Sequence, residues 1–314
     1  MSKYNSGEMI RLYRVSKKMS QEVLSEDICS VEALSRIENG KQGTKFELYK
    51  NLMHRLGGIP EKSYEILDDD MKISELRFQY EDAMKKNNFD EAEMLLKKIK
   101  KNNTGTDSVL VKQYVLREET LLSFYLKKIN AEEFAAGMEA AISMTVPDYM
   151  QYINSIYPFT EQEIHCLKRL AIAYNKINMQ TRSIEILKML LRCLDANYIA
   201  DSWTLKMPIR CNLAKTYGEL GEHEKALKIS IENLDLENGT ENGPVVVASL
   251  VDIAWNMLKQ IELGKREKKD IVRCKKYLEQ AYYIATARND ETDKRMIQEY
   301  YERTFNESVR RNIS

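Results

Sequence analysis

A three-residue pattern, a polar or charged residue followed by Leu or Ile and then Ala, recurs as Arg169-Leu170-Ala171, Asn212-Leu213-Ala214 and Asp252-Ile253-Ala254, at intervals of about forty residues. The clearest copy is IRCNLAKTYGELGEHEKALKISIENLD, residues 209 to 235. Its Leu213, Ala214 and Tyr217 put a small residue and an aromatic on the inner seam of a first helix, and Gly221 marks a turn. A second helix then crosses at Ala226, where only a small side chain lets two backbones come close. Such a hairpin cannot bury its apolar face alone, so the chain must stack one hairpin on the next.

Further copies extend the pattern in both directions. LKRLAIAYNKINMQTRSIEILKMLLRCLD repeats it with Leu170, Ala171, Tyr174, Asn178 and Ser183, and residues 78 to 101 fit more loosely through Ala83, Ala92 and Leu96. Residues 245 to 286 fit with an enlarged linker, GKREKKD, between Trp255 and a helix carrying Tyr277, Ala281 and Tyr282. Residues 107 to 146 make another hairpin turning near Lys127 to Ala131, and DKRMIQEYYERTFN forms a terminal helix. The offsets look like those of tetratricopeptide repeats, which implies a right-handed superhelix with a concave inner surface. Only 12 Gly and 5 Pro interrupt 314 residues, as an all-helical chain requires.

The first sixty residues break this rhythm. Ser20 is placed to cap a short helix, QEVLSED, in which Leu24 and Ile28 face one side, and Ser30 caps VEALSRIE, whose Leu34 and Ile37 point inward while Val31, Glu32, Ser35 and Arg36 stay outside. Asn39-Gly40 closes that helix, since glycine tolerates the left-handed conformation that ends helices. KFELYKNLMHRLG supplies Phe46, Leu48, Leu52, Met53 and Leu56 beneath. Gly57, Gly58, Pro60 and the Asp68 to Asp70 triplet mark the passage from this bundle to the array, giving domains of 1–66 and 67–314.

Gln21, Leu24, Ser25, Ser35, Ile37, Glu38 and Gly40, in SQEVLSEDICSVEALSRIENG, resemble the lambda-repressor-like (XRE-type) helix-turn-helix, in particular that of the Gram-positive peptide-sensing Rgg, PlcR and Rap regulators. The resemblance covers roughly residues 7 to 58. It implies a recognition helix, about Ser30 to Glu38, entering the major groove of duplex DNA. Base or backbone contacts would come from Ser30, Val31, Glu32, Ala33, Arg36 and Lys41, with Gln21 on a phosphate. Lys45 and Lys50 either approach phosphates or are simply solvated. Arg14 and Glu38 would form an ion pair clamping the first helix to the third.

A helix-turn-helix followed by degenerate tetratricopeptide units is the architecture of those regulators, which are homodimers binding a short signalling peptide in the concave groove of the array. Aligning the recurring tripeptides places Arg169, Asn212 and Asp252 in one column on successive first helices, with Asn175 and Asn256 nearby. The family holds peptide backbones with asparagines on these helices, which nominates Asn212 first and Asn175 second. Tyr149, Tyr152, Tyr157 and Trp203 either line the groove or pack.

The expected function is therefore a peptide-controlled, sequence-specific transcriptional regulator acting on a pseudo-palindromic double-stranded DNA site. The alternative is a phage- or plasmid-type repressor whose array serves only dimerisation or protein binding. Forty-eight basic residues balance 48 acidic ones, so any polyanion-binding surface is local, and residues 1 to 60 carry ten basic against seven acidic side chains. Five scattered Cys, of which Cys29 reads as a small buried filler, and three His offer no metal cluster. No P-loop, HExxH or GxSxG motif suggests an enzyme, no cofactor is implied, and the absence of a long apolar run points to a reduced, soluble, cytoplasmic protein.

Overall fold

The computed structural model describes residues 6–56, 71–102, 109–196, 203–236 and 243–309, and all regular structure among them is helical. The front bundle holds α1 (Ser6–Ser16), α2 (Gln21–Ser25), α3 (Val31–Glu38) and α4 (Phe46–Arg55). Behind it run α5 (Met71–Lys85), α6 (Phe89–Asn102), α7 (Val109–Tyr125), α8 (Ala131–Ser143), α9 (Glu161–Lys176), α10 (Gln180–Asp195), α11 (Trp203–Glu219), α12 (His223–Leu236), α13 (Gly243–Glu262), α14 (Ile271–Ala287) and α15 (Glu291–Phe305). The fold is thus a helix-turn-helix bundle followed by a helical repeat array. Two compact units divide the chain: residues 1–178 with 188–202, and residues 179–187 with 203–314. The boundary expected at 66/67 lies outside the described residues.

One chemical device ends α5, α7, α9, α11, α13 and α14. Two residues past each helix, Asn87, Lys127, Asn178, Gly221, Gly264 and Asn289 adopt positive φ, between 55° and 85°. At five of these turns the next amide donates back across the helix end, as in Asn88 N–H to the Ala83 carbonyl (2.9 Å) and Glu222 N–H to the Tyr217 carbonyl (2.9 Å). That left-handed cap satisfies carbonyls that the last turn leaves orphaned, and Gly and Asn adopt it at least cost. The residues expected on the inner seams, Leu170, Ala171, Tyr174, Leu213, Ala214, Tyr217 and Ala226, are all buried.

In the front bundle α2 is shorter than the sequence suggests. It stops at Ser25 because Asp27 turns left-handed (φ 56°), and the Ser25 carbonyl then accepts from both Ile28 and Cys29 N–H at 2.9 Å. Ile28 is consequently outside the helix, and aspartate does here what glycine does in many such turns. At the other end of the bundle α1 crosses α3 so closely that a Cβ added to Gly7 would lie 1.9 Å from the Ile37 carbonyl oxygen. Alanine favours helices over glycine by about 1 kcal/mol, but overpacking costs about 1–3 kcal/mol, and a backbone oxygen cannot swing aside. Gly7→Ala is therefore expected to lower the melting temperature; an increase would mean that α1 and α3 are not in contact here.

Within the first unit, the segment between α8 and α9 carries Tyr152, Tyr157 and Phe159, whose tilted rings pack in sequence with centroids 4.1 and 4.7 Å apart. Tyr157 meets the edge of Tyr13 on α1 at 5.5 Å, tying the front bundle to the repeats. Tyr149 and Tyr174 both donate to Glu139, at 3.1 and 3.2 Å. Tyr149, Tyr152 and Tyr157 are thus packing residues; the Trp203 side chain lies outside the described residues.

Candidate functional site

The first candidate surface is α3. The Ser30 hydroxyl accepts the Ala33 N–H (3.1 Å), starting the helix, and Leu34 and Ile37 are fully buried beneath it. Glu32, Arg36 and Lys41 are exposed, while Val31 and Ala33 are half-buried. Orientation comes from Glu38 at the far end of α3. Its carboxylate receives Arg14 Nε at 2.7 Å and Nη2 at 2.8 Å, a bidentate pair, and Gln21 Nε2 at 2.7 Å. Arg14 also donates to the Met19 carbonyl (2.9 Å), so one guanidinium joins α1, the α1–α2 loop and α3. A carboxylate accepts only, so Gln21 must turn its nitrogen inward. One of its two amide hydrogens is therefore committed to Glu38.

The second candidate surface is a cleft of about 540 Å³ in the second unit, between α11, α13 and α15. Pro208, Pro244, Val251, Trp255 and Met296 give it apolar walls, and Asn212, Lys215, Glu219, Asp252 and Asp293 give it polar ones. Asn212 Nδ2 donates to the Pro208 carbonyl at 2.8 Å, which leaves its Oδ1 as an acceptor on the wall. Burial pushes the Asp252 carboxyl up to about 7, with Lys215 opposing the rise and Glu219 adding to it.

The five residues nominated for a peptide do not form one set. Asn212 and Asp252 line the cleft together. Asn256 is not a groove residue: it is buried, with Oδ1 facing His223 Nδ1 at 2.9 Å and Nδ2 donating to the Asp252 carbonyl at 2.8 Å. Its amide instead locks α13 to α12. Arg169 and Asn175 belong to the first unit, where Arg169 donates to Glu118 at 2.6 Å and serves a structural ion cluster. Lys215, Glu219, Trp255, Asp293 and Met296 were not foreseen. The first two were within reach, because they continue the helical face of Asn212 at offsets of three and seven residues. Asp293 and Met296 depend on where α15 docks, which no local spacing encodes.

Among the described residues no group of His, Cys, Asp and Glu could hold a metal ion, and no helix is long and apolar enough to cross a membrane.

A helix-turn-helix family model matches residues 10–61. No curated protein matches the chain. Among solved structures, Bacillus thuringiensis PlcR in complex with the peptide PapR7 and DNA aligns with a TM-score of 0.56 at 17% identity, over 97% of this chain and 100% of that one. PlcR in its apo form gives 0.56 at 15% identity, over 91% and 97%. ComR from S. thermophilus, in complex with DNA and its signalling peptide ComS, gives 0.51 at 13% identity, over 94% and 98%. The chain therefore shares the fold of these proteins.

Proposed function

We propose that this chain is a homodimeric, cytoplasmic transcriptional regulator that reads duplex DNA with α3 and is controlled by a short peptide held in the α11–α13–α15 cleft. The observation that carries the reading is the pairing, in one chain, of an outward-facing α3 fixed by the Arg14–Glu38–Gln21 cluster with an apolar-walled cleft bearing Asn212 and Asp252. That the same fold has been solved with both DNA and peptide bound supports it.

On DNA, Arg36 is the strongest donor of the exposed face, to a base edge or a phosphate, and Lys41 adds charge beside it. Glu32 can accept from a cytosine amine, and Val31 and Ala33 can meet a thymine methyl. Two copies would set their α3 helices about 34 Å apart on a pseudo-palindrome. A peptide switches such a protein only through unequal affinity for two arrangements of the dimer.

The test is fluorescence anisotropy of the whole chain with duplex DNA across a salt series. Binding that weakens steeply with salt is expected, with a slope that becomes shallower by about one unit in Arg36→Ala. Salt-independent behaviour, or an Arg36→Ala curve that overlays the parent, would remove DNA reading by α3.

A further inference from the structure

Resting on the reading of this chain as a peptide receptor, we infer that the cleft selects peptides that carry a positively charged nitrogen among apolar side chains, and that Asp252 and Asn212 are the groups that recognise it. Three carboxylates, Glu219, Asp252 and Asp293, share the cleft with a single ammonium, Lys215. The one arginine that the repeat pattern offers as a counterweight, Arg169, is spent on Glu118 in the other unit. Among the described residues no hydrogen bond or ion pair reaches the Asp252 carboxylate; only its backbone carbonyl is used, by Asn256.

The polarity of the neighbouring amide agrees. With its nitrogen held by the Pro208 carbonyl, Asn212 presents an acceptor in the same cleft. Two acceptors, one of them ionisable, suit a group that only donates, such as an ammonium or a guanidinium. A carboxylate ligand would meet acceptors facing acceptors. The apolar walls, Trp255, Met296 and the two prolines among them, fit the side chains on either side of the charge. A partly desolvated carboxylate without a hydrogen-bonding partner is costly, and a cation relieves that cost on binding.

The pH response follows from the same groups. Asp252 faces Lys215 and Glu219 of α11; Asp293 of α15 feels the charge of Asp290 and, opposing it, of Arg288; His223 of α12 contacts Asn256 one turn along. With the Asp252 carboxyl raised to about 7, it is largely neutral at lower pH, so affinity for a cationic peptide should rise as pH increases through that value.

The experiment is calorimetric titration of the full chain with apolar pentapeptides differing at one central position, Lys, Gln or Glu, each with a free or acetylated amino end and an amidated carboxyl end. The Lys peptide should bind about tenfold or more tighter than the Gln peptide, the worth of a charge-assisted hydrogen bond, and the Glu peptide weakest. The acetylated series separates a side-chain cation from the amino terminus. In Asp252→Asn the Lys and Gln peptides should bind within about twofold of each other, and the pH step of the acetylated Lys peptide should vanish, which it would not if His223 caused it. Should Asp252→Asn fail to fold, Lys215→Met serves instead and should widen the Lys-over-Gln preference. Peptides that bind with no charge preference, or a preference that survives Asp252→Asn, overturn this inference and leave peptide sensing intact; no binding by any peptide overturns both, while the DNA titration stands apart.

Discussion

Replacing Glu118 with alanine should destabilise the first unit by about 3–5 kcal/mol, the cost of leaving buried charge uncompensated. Glu118 and Arg117 are almost fully buried side by side on α7, 2.6 Å apart, and Arg169 reaches the same Oε1 from α9 at 2.6 Å. Tyr80 of α5 donates to the other oxygen at 3.1 Å. Arg117 also donates to the Gln162 carbonyl at 3.1 Å, and Arg77 and Arg117 lie over the Tyr114 ring at 4.5 and 5.1 Å. One carboxylate thus bridges two guanidiniums and orients a phenol, joining α5, α7 and α9. Its removal leaves two cations facing each other in low dielectric. Both tryptophans, Trp203 and Trp255, belong to the second unit. A urea transition that shifts by circular dichroism but not by tryptophan fluorescence would place the loss in the first unit; a change below about 1 kcal/mol would mean that the cluster is solvated.

The same cluster sets an acid limit. Burial pushes the Glu118 carboxyl up, but Arg117 and Arg169 outweigh it and hold it at about 2, below its ordinary 4.5. On acidification the unfolded chain takes up this proton first. The contribution of Glu118 is therefore complete above about pH 4.5 and is lost as pH falls toward 2. Comparing the parent with Glu118→Gln should show the parent's advantage intact above about pH 4.5, shrinking steadily across that window and gone near pH 2.

Why this cluster escaped the sequence, while the hairpins did not, has a physical reason. Small residues at seams and Gly or Asn two residues beyond a helix are local requirements, and Ala226, Gly221 and Asn178 announce them within one turn of where they act. The caps of Ser20 and Ser30 are equally local. Ion pairing is different: Arg169 can read as a groove cation or as half of a pair, and the choice belongs to Glu118, 51 residues earlier. Asn256 shows the same ambiguity, since a periodic column places it beside the cleft while His223, from another helix, takes its oxygen. The early end of α2 at Ser25 was hidden because aspartate adopts left-handed backbone less readily than the glycine or asparagine a reader looks for.

Glu38→Ala should cost the front bundle about 3 kcal/mol or more and abolish the proposed DNA binding while leaving the proposed peptide binding by the second unit in place. The argument is geometric as much as energetic. Arg14 would keep its bond to the Met19 carbonyl but lose both carboxylate oxygens, and Gln21 would lose its only side-chain anchor among the described residues. The α1–α2–α3 contacts would then rest on a few apolar side chains, Met9, Ile10, Leu24, Leu34 and Ile37. Glu38→Gln is no rescue, because an amide offers one acceptor where three donors converge and turns its own nitrogen toward one of them. Arg14→Met with Glu38→Met removes both charges and replaces them with adaptable apolar bulk, so it should recover more than half of the lost stability. It should not recover DNA binding to the same degree: Gln21 and the start of α2 would remain unfixed, and a reading helix requires a set orientation as well as a folded one. Melting curves and DNA anisotropy on the three variants separate the two effects, and a double variant that regains stability and DNA affinity in parallel would reduce the cluster to a simple source of stability.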